Sequence, residues 1–368
     1  MRTTLILSLI TITATAHAQF TLQTSNTTAD LRGIHNVGNG VAWASGTDGT
    51  VLRTEDGGFV WQSCSVPPGA EKLDFRGIQA FDADTAIVMS SGKGDQSRLY
   101  KTTDGCHTWK LLFTNPDKDG FFDAILLYFS DPQHGSGWLL GDPVRDQFTL
   151  YRTFNSGKSW SRQENVGLRA MPDQQGAFAA SNSSMIQLGG ELYFGTGGKQ
   201  GAKIFSQVIL ACKDSCPPDP HGRIRRWNIQ PAPVGGQSEA SGIFSIAGRE
   251  GESSVLVSVG GDYTKSNDAD RTAAFTADGG KTWTASTTPP HGYRSTVAYD
   301  PTTKSWITVG PNGADISTDD GRNWHPVHLN PALHESPDAD RNWNALSLPY
   351  VVGPKGRIGK LDDAALKR

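Results

Sequence analysis

The sequence predicts an all-β fold: a seven-bladed β-propeller of four-stranded antiparallel blades with Asp-bearing turns, closed by the N-terminal strand. Three observations lead there. An octet recurs five times: TEDGGFVW (54–61), TTDGCHTW (102–109), TFNSGKSW (153–160), TADGGKTW (276–283) and STDDGRNW (317–324). The segments before the octets alternate in the period-2 manner of strands, as in 50–53 and 99–102. The chain of 368 residues holds 42 Gly and is only 19% charged, a composition of short strands and turns. A repeat at a long period sets the architecture before any local assignment.

Each octet opens with Ser or Thr, carries Asp or Asn two places on (Asp56, Asp104, Asn155, Asp278, Asp319), then Gly, and closes on Trp (Trp61, Trp109, Trp160, Trp283, Trp324). The carboxylate or amide accepts backbone N–H groups across a tight bend, and Gly supplies positive φ. The octet is therefore a hairpin turn between two strands, and its Trp offers a large face to a neighbouring repeat. The first unit, LRGIHNVGNGVAWASGTDGTVLRTEDGGFVW (31–61), reads as strands at 33–37, 41–45 and 50–54, and a fourth from Trp61. Further units begin near Phe75, Phe121, Gly176, Ser241 and Tyr293. In the fourth, a loop holding Cys212 and Cys216 replaces the octet and Trp227 restores the Trp. Residues 342–361 supply only three strands, so the segment 19–30 is expected to complete the last blade and cover its open edge. The count is seven, or six or eight if the fourth unit is misassigned.

The N-terminus has Arg2, an apolar run 5–12 and an Ala16-His17-Ala18 site, the pattern of a signal peptide cleaved after Ala18. The run is too short to span a membrane, so a secreted or periplasmic protein without a transmembrane anchor is expected, acting as a monomer. The propeller occupies 19–361, followed by a tail at 362–368. Four cysteines suit an oxidising compartment. Cys212 and Cys216 are placed for a local loop bridge, and Cys64 and Cys106 for a bridge between blades if neighbouring repeats stack. Their spacings fit no zinc module. A net charge of −3 argues against nucleic acid as partner.

The octets resemble Asp-box (BNR) repeats, and VAWASGTDGTVLRTEDGGFVW resembles the repeat of the photosystem II stability/assembly factor family. FFDAILLYFSDPQHGSGWLLGDPV, GAFAAS, YFGTGG, SGIFSIA and VGGDY are similar, in order, to an exported bacterial branch of those propellers. Proteins of that branch are called oxidoreductases or glycosyl hydrolases without defined chemistry. The resemblance thus implies a fold and no activity, and nothing in the sequence points to a photosynthetic host.

In such a disc the octet turns share one face. Loops after second strands and between blades share the other, where the channel opens. That face is expected to carry Arg32, Arg76, Asp123, Ser181, Asn182, Arg294 and Asn344 from blade-joining loops. From loops after second strands come Asp142, Arg145, Lys199, Asp262 and Tyr263, with Asp48, Lys93, Asp95, Lys265 and Lys355. Gly195, Gly197, Gly198, Gly260 and Gly261 would let backbone approach a ligand. The strongest candidates are Arg32, Arg76, Asp123, Asp142, Asn182, Asp262, Tyr263 and Arg294. An Arg/Asp-lined face suits a scaffold that holds a protein, peptide or glycan. A sialidase-like glycoside hydrolase is the alternative, with Arg32, Arg76 and Arg294 on a carboxylate and Tyr263 as nucleophile beside an acid such as Glu239. FRGI (75–78) departs from the corresponding sialidase segment, and no catalytic residue is assigned. GTGGKQG (195–201) leads into a strand, not a helix, which argues against a dinucleotide cradle, and no cofactor is expected. His325, His328, His334 and Glu335 read as surface residues, and no metal site is expected.

Overall fold

The computed structural model describes residues 19–129, 135–163, 167–171, 173–209, 226–249, 251–327 and 335–362. The proposed signal peptide, Cys212, Cys216, His328, His334 and the tail beyond 362 lie outside them. Seven sheets of four antiparallel strands form a ring, with almost no helix. Blade 1 is built from Leu31–Gly38, Val41–Gly46, Val51–Thr54 and Gln62–Ser63. The innermost strands of the later blades are Phe75–Ala80, Phe122–Phe129, Met185–Leu188, Ser241–Arg249, Thr296–Asp300 and Ala345–Ser347. Each touches the innermost strand of the next blade, and the seventh touches the first, so the ring closes. Phe20–Gln23 pairs with Ile358–Leu361 and is the outermost strand of the last blade, as expected.

The core is distributed. Seven clusters of buried apolar side chains lie one between each pair of neighbouring blades. The octet Trp residues reach back onto the preceding blade. Trp61 packs with Tyr350 and Val352 of the last blade, and Trp324 with Val255 and Val257 of the fifth. Trp61, Trp109 and Trp324 are buried, whereas Trp160 and Trp283 are half-buried. Trp227, predicted to stand in for the missing octet, joins the cluster between blades 3 and 4.

The octet turns share one hydrogen-bond pattern. Thr54 Oγ1 donates to Asp56 Oδ1 at 2.8 Å and accepts from Gly58 N at 3.0 Å, while Asp56 Oδ1 accepts from Val60 N at 3.0 Å. The same bonds recur at 102–108, 153–159, 276–282 and 317–323. Cys106 holds the positive-φ place usually given to Gly, at φ 65°. Its sulfur is bonded to Cys64 just past the outer strand of blade 1, so the disulfide ties blade 1 to blade 2.

Blade 4 corrects the sequence reading. Its innermost strand begins at Met185, not near Gly176. The run GAFAAS is no strand: apart from an isolated bridge between Gly176 and Gly197, its polar groups reach partners on other blades.

Candidate ligand pocket at the channel mouth

Two local features build the pocket. The first is a bulge. In blades 1, 2, 3 and 5 the innermost strand slips register after its first apolar residue, between Leu31/Gly33, Phe75/Gly77, Phe122/Ala124 and Ile243/Ser245. A bulge re-aims the side chain of the extra residue. Those residues are Arg32, Arg76, Asp123 and Phe244, and all four line one cavity of about 810 Å³. The following residue must be small: a Cβ at Gly33 would stand 2.5 Å from Ser45 Oγ, and one at Gly77 2.8 Å from Asn182 Oδ1.

The second feature is a plug. Residues 173–184 run across the channel and are tied to four other blades. Ala177 N donates to Asp142 Oδ1 of blade 3 at 3.0 Å, and Arg76 Nη1 of blade 2 donates to Ala179 O at 3.3 Å. Ser181 Oγ donates to Ser295 O of blade 6 at 2.9 Å, and Ser183 Oγ to Ser245 Oγ of blade 5 at 2.8 Å. Asn182, at φ 60°, accepts from Ile125 N and donates to Ile125 O, pinning the innermost strand of blade 3. The plug floors the cavity and adds Phe178 to its wall.

The cavity thus has unlike sides. Arg32 and Arg76 flank Asp74: Arg76 Nε donates to Asp74 Oδ2 at 2.7 Å, and Arg32 Nε lies 3.9 Å from Asp74 Oδ1. Opposite stands an aromatic wall. Phe178 stacks on Phe244 at 3.9 Å between centroids, and Phe244 meets Tyr293 and Tyr263 edge-on at 4.8 and 6.1 Å. Tyr263 is 54% exposed at the rim. Deep in the cavity lie two carboxyls. Asp123 is 1% exposed, and neither of its oxygens has a hydrogen-bond partner among the described residues. Burial, reinforced by the charge of Asp142, pushes its pKa well above the usual carboxylate range, against the pull of Arg76. Burial likewise raises Asp142 to about 6, opposed by the Ala177 N–H.

Of the eight strongest sequence candidates, Arg32, Arg76, Asp123, Asp142 and Tyr263 line the cavity, and so does Asn344. The other three stand elsewhere. Arg294 is fully buried, with its guanidinium on Asp315, His291 and Asn312, so no triple-arginine cluster forms. Asn182 is part of the plug. Asp262 accepts from Ser238 Oγ and Thr264 Oγ1 beside the rim. Glu239 lines the cavity but pairs with Lys199 at 2.5 Å. The glycines serve packing more than ligand approach. Gly197 bridges Gly242, and a Cβ at Gly197 would stand 2.2 Å from Ser241 O, so blades 4 and 5 meet there through bare backbone; a Cβ at Gly260 would stand 1.9 Å from Gly242 O within blade 5. Among these five glycines only Gly198 lines the cavity.

Sequence reasoning missed Phe178, Phe244 and Tyr293. For Phe244 the signal was present: LRGI, FRGI, FDAI, IFSI and WNAL share an apolar–X–small–apolar pattern, and X is Arg32, Arg76, Asp123, Phe244 and Asn344. Each X lines the cavity. Among the described residues no cluster of His, Cys, Asp and Glu could hold a metal ion, and no helix is long and apolar enough to cross a membrane.

No protein-family model and no curated protein matches the chain. Solved structures do. A structure described as YCF48 bound to D1 peptide aligns at TM-score 0.57 and 16% identity over 95% of this chain and 98% of that one. YCF48 from Cyanidioschyzon merolae aligns at TM-score 0.59 and 16% identity over 94% and 99%. A GH74 xyloglucanase from Xanthomonas campestris aligns at TM-score 0.39 and 16% identity over 91% of this chain and 55% of its own, too loosely to carry an argument. At such identities the likeness is one of fold, and the fold is the seven-bladed propeller described above.

Proposed function

We propose that this chain is an exported binding and assembly scaffold of the Asp-box propeller type, whose channel-mouth pocket holds a segment of a protein or peptide, or a glycan. One observation carries the reading. Inner-strand residues of different blades and the plug converge on one cavity and leave buried polar atoms unpartnered: Arg32 Nε, both oxygens of Asp123 and Gln175 Nε2. Buried polar groups in folded proteins are nearly always satisfied, so such a set marks a place for water or ligand. The similarly folded YCF48 described with a bound peptide supports a peptide as ligand class. The signal-like N-terminus and the Cys64–Cys106 disulfide support export.

The test is capture. Immobilised protein is offered the exported proteins of its host, beside the Arg32→Ala/Arg76→Ala double variant. A partner held by the wild type and lost by the variant, with the melting temperature unchanged, supports the reading. Equal capture by both removes the pocket from it.

One observation favours a glycoside hydrolase instead: two carboxyls, Asp123 and Asp142, share the cavity. Such enzymes need one carboxyl protonated and its partner ionised, in environments that push the two pKa values apart. Burial raises both, Asp123 well above the usual carboxylate range and Asp142 only to about 6, a difference of the kind such a pair requires. The tyrosine variant is less well served, since the carboxylate of Glu239 is engaged by Lys199. Turnover of fluorogenic sialosides or other glycosides, abolished by Asp142→Asn, would make hydrolysis the function.

A further inference from the structure

We propose that the deep end of the pocket is a subsite for an organic cation, with Asp123 and Asp142 receiving the ammonium or guanidinium group of a lysine or arginine side chain on the ligand. The inference rests on the reading above that the pocket binds a ligand, and it names the chemistry of one part of that ligand.

Asp123 carries the argument. It is placed in the cavity by a bulge, is almost wholly buried, and offers two acceptor oxygens with no donor in reach. A desolvated carboxyl without donors is costly, and a cation with several N–H groups supplies both the missing bonds and the opposite charge. The arginines nearest it are directed elsewhere: Arg76 to Asp74 and Ala179 O, and Arg32 toward Asp74. No protein cation lies within ion-pair distance of Asp123 or Asp142 among the described residues. Asp142 stands on the same blade, one oxygen held by Ala177 N, which leaves it acceptor capacity toward a ligand.

The surroundings suit a long basic side chain. Ala177 precedes Phe178, so the backbone that fixes Asp142 also positions the stacked pair Phe178–Phe244. Aromatic faces accept an aliphatic stem and attract a cation through the ring quadrupole. Gln175 Nε2, buried and unpartnered on the plug, offers a donor for a carbonyl of the ligand backbone. A neutral hydroxyl ligand such as a sugar would also bond to Asp123, but only a cation also favours the ionised carboxylates by its charge.

The experiment uses the purified protein and four pentapeptides, Ala-Ala-X-Ala-Ala with X as Lys, Arg, norleucine or Glu, titrated by calorimetry. We expect the Lys or Arg peptide to bind at least tenfold more tightly than the norleucine peptide. That preference should vanish in Asp123→Asn and in Asp142→Asn, while the affinity of the norleucine peptide stays the same. Thermal melts check that the variants fold, and either aspartate variant alone suffices for the comparison. Equal affinity for norleucine, binding of no peptide, or a Lys preference that persists without the carboxylates would each overturn the subsite. Loss of partner capture in the double-arginine variant without any Lys preference would retire the subsite and keep the scaffold.

Discussion

The two faces of the disc treat the repeat in opposite ways. On the octet face, five turns make the same hydrogen bonds with the same residue types, and all five end on a Trp packed against the blade before. At the channel mouth four blades keep a backbone bulge and change the residue in it: Arg32, Arg76, Asp123, Phe244. Where several blades do the same thing the chemistry is architectural. Where the blades share a position and differ in what they put there, they compose a surface no single blade could make. In a ring of repeats, the site is therefore sought at the variable residue of an invariant geometry.

That contrast can be broken or sharpened by substitution. The largest effects belong to the repeated face and its staples. Trp61→Ala removes a buried ring from the junction of the first and last blades and is expected to cost about 3–5 kcal/mol of unfolding free energy by denaturant titration, whereas half-buried Trp283→Ala should cost clearly less. Equal costs would undo the burial argument. Removing the disulfide with Cys64→Ser/Cys106→Ser opens a loop spanning 42 positions and should cost about 4 kcal/mol. Next come the pocket carboxyls. Asp142 is pushed up to about 6, above its unfolded value, so its contribution is full below about pH 4 and is lost as pH rises toward 6. The wild type should lose about 3 kcal/mol across that interval on this account, with Asp123 extending the loss to higher pH. Asp142→Asn should flatten the slope, and a slope unchanged in that variant would show that burial of Asp142 is not its source. Smaller still is Thr54→Val, which strips a buried hydroxyl from one octet and orphans Gly58 N–H, for about 1–2 kcal/mol. The smallest change in stability, under about 1 kcal/mol, is expected for Arg32→Ala/Arg76→Ala, because both side chains are partly solvated and such pairs are weak. That same variant should lose the ligand. A large stability loss there would turn the arginines into blade staples and remove the difference between the faces.

The octets made the octet face legible from sequence, because Asp, Gly and Trp are each needed for a reason local to the turn. The ring closure followed from counting strands at 342–361 against the lone strand after Gln19. The channel mouth was legible in part. Arg32, Arg76 and Asp123 stand at the head of innermost strands and could be placed there by their charge, whereas Phe244, at the same place of the repeated pattern, is apolar and only the comparison of all the blades singles it out. The plug was not legible. Its partners are Asp142, Ile125, Ser295 and Ser245, distant in sequence, and such bonds impose no period on GAFAASNSS. Arg294 was misplaced for a related reason: nothing near it in sequence announces Asp315, which holds it inside blade 6.

The pairing of Phe20–Gln23 with Ile358–Leu361 has a consequence for how the molecule comes into being. A chain emerging from its N-terminus must keep its first strand waiting until its last hairpin has been made, since the first strand has no other partner in the finished sheet. The entropy of bringing such distant segments together grows only slowly with their separation, so closing the clasp is an encounter problem more than an energetic one. The clasp completes the blade that packs on blade 1, and the pocket draws on both, through Arg32 and Asn344. Any ligand that bridges those two blades therefore binds the closed ring in preference to the open one, and by mass action holds the clasp shut.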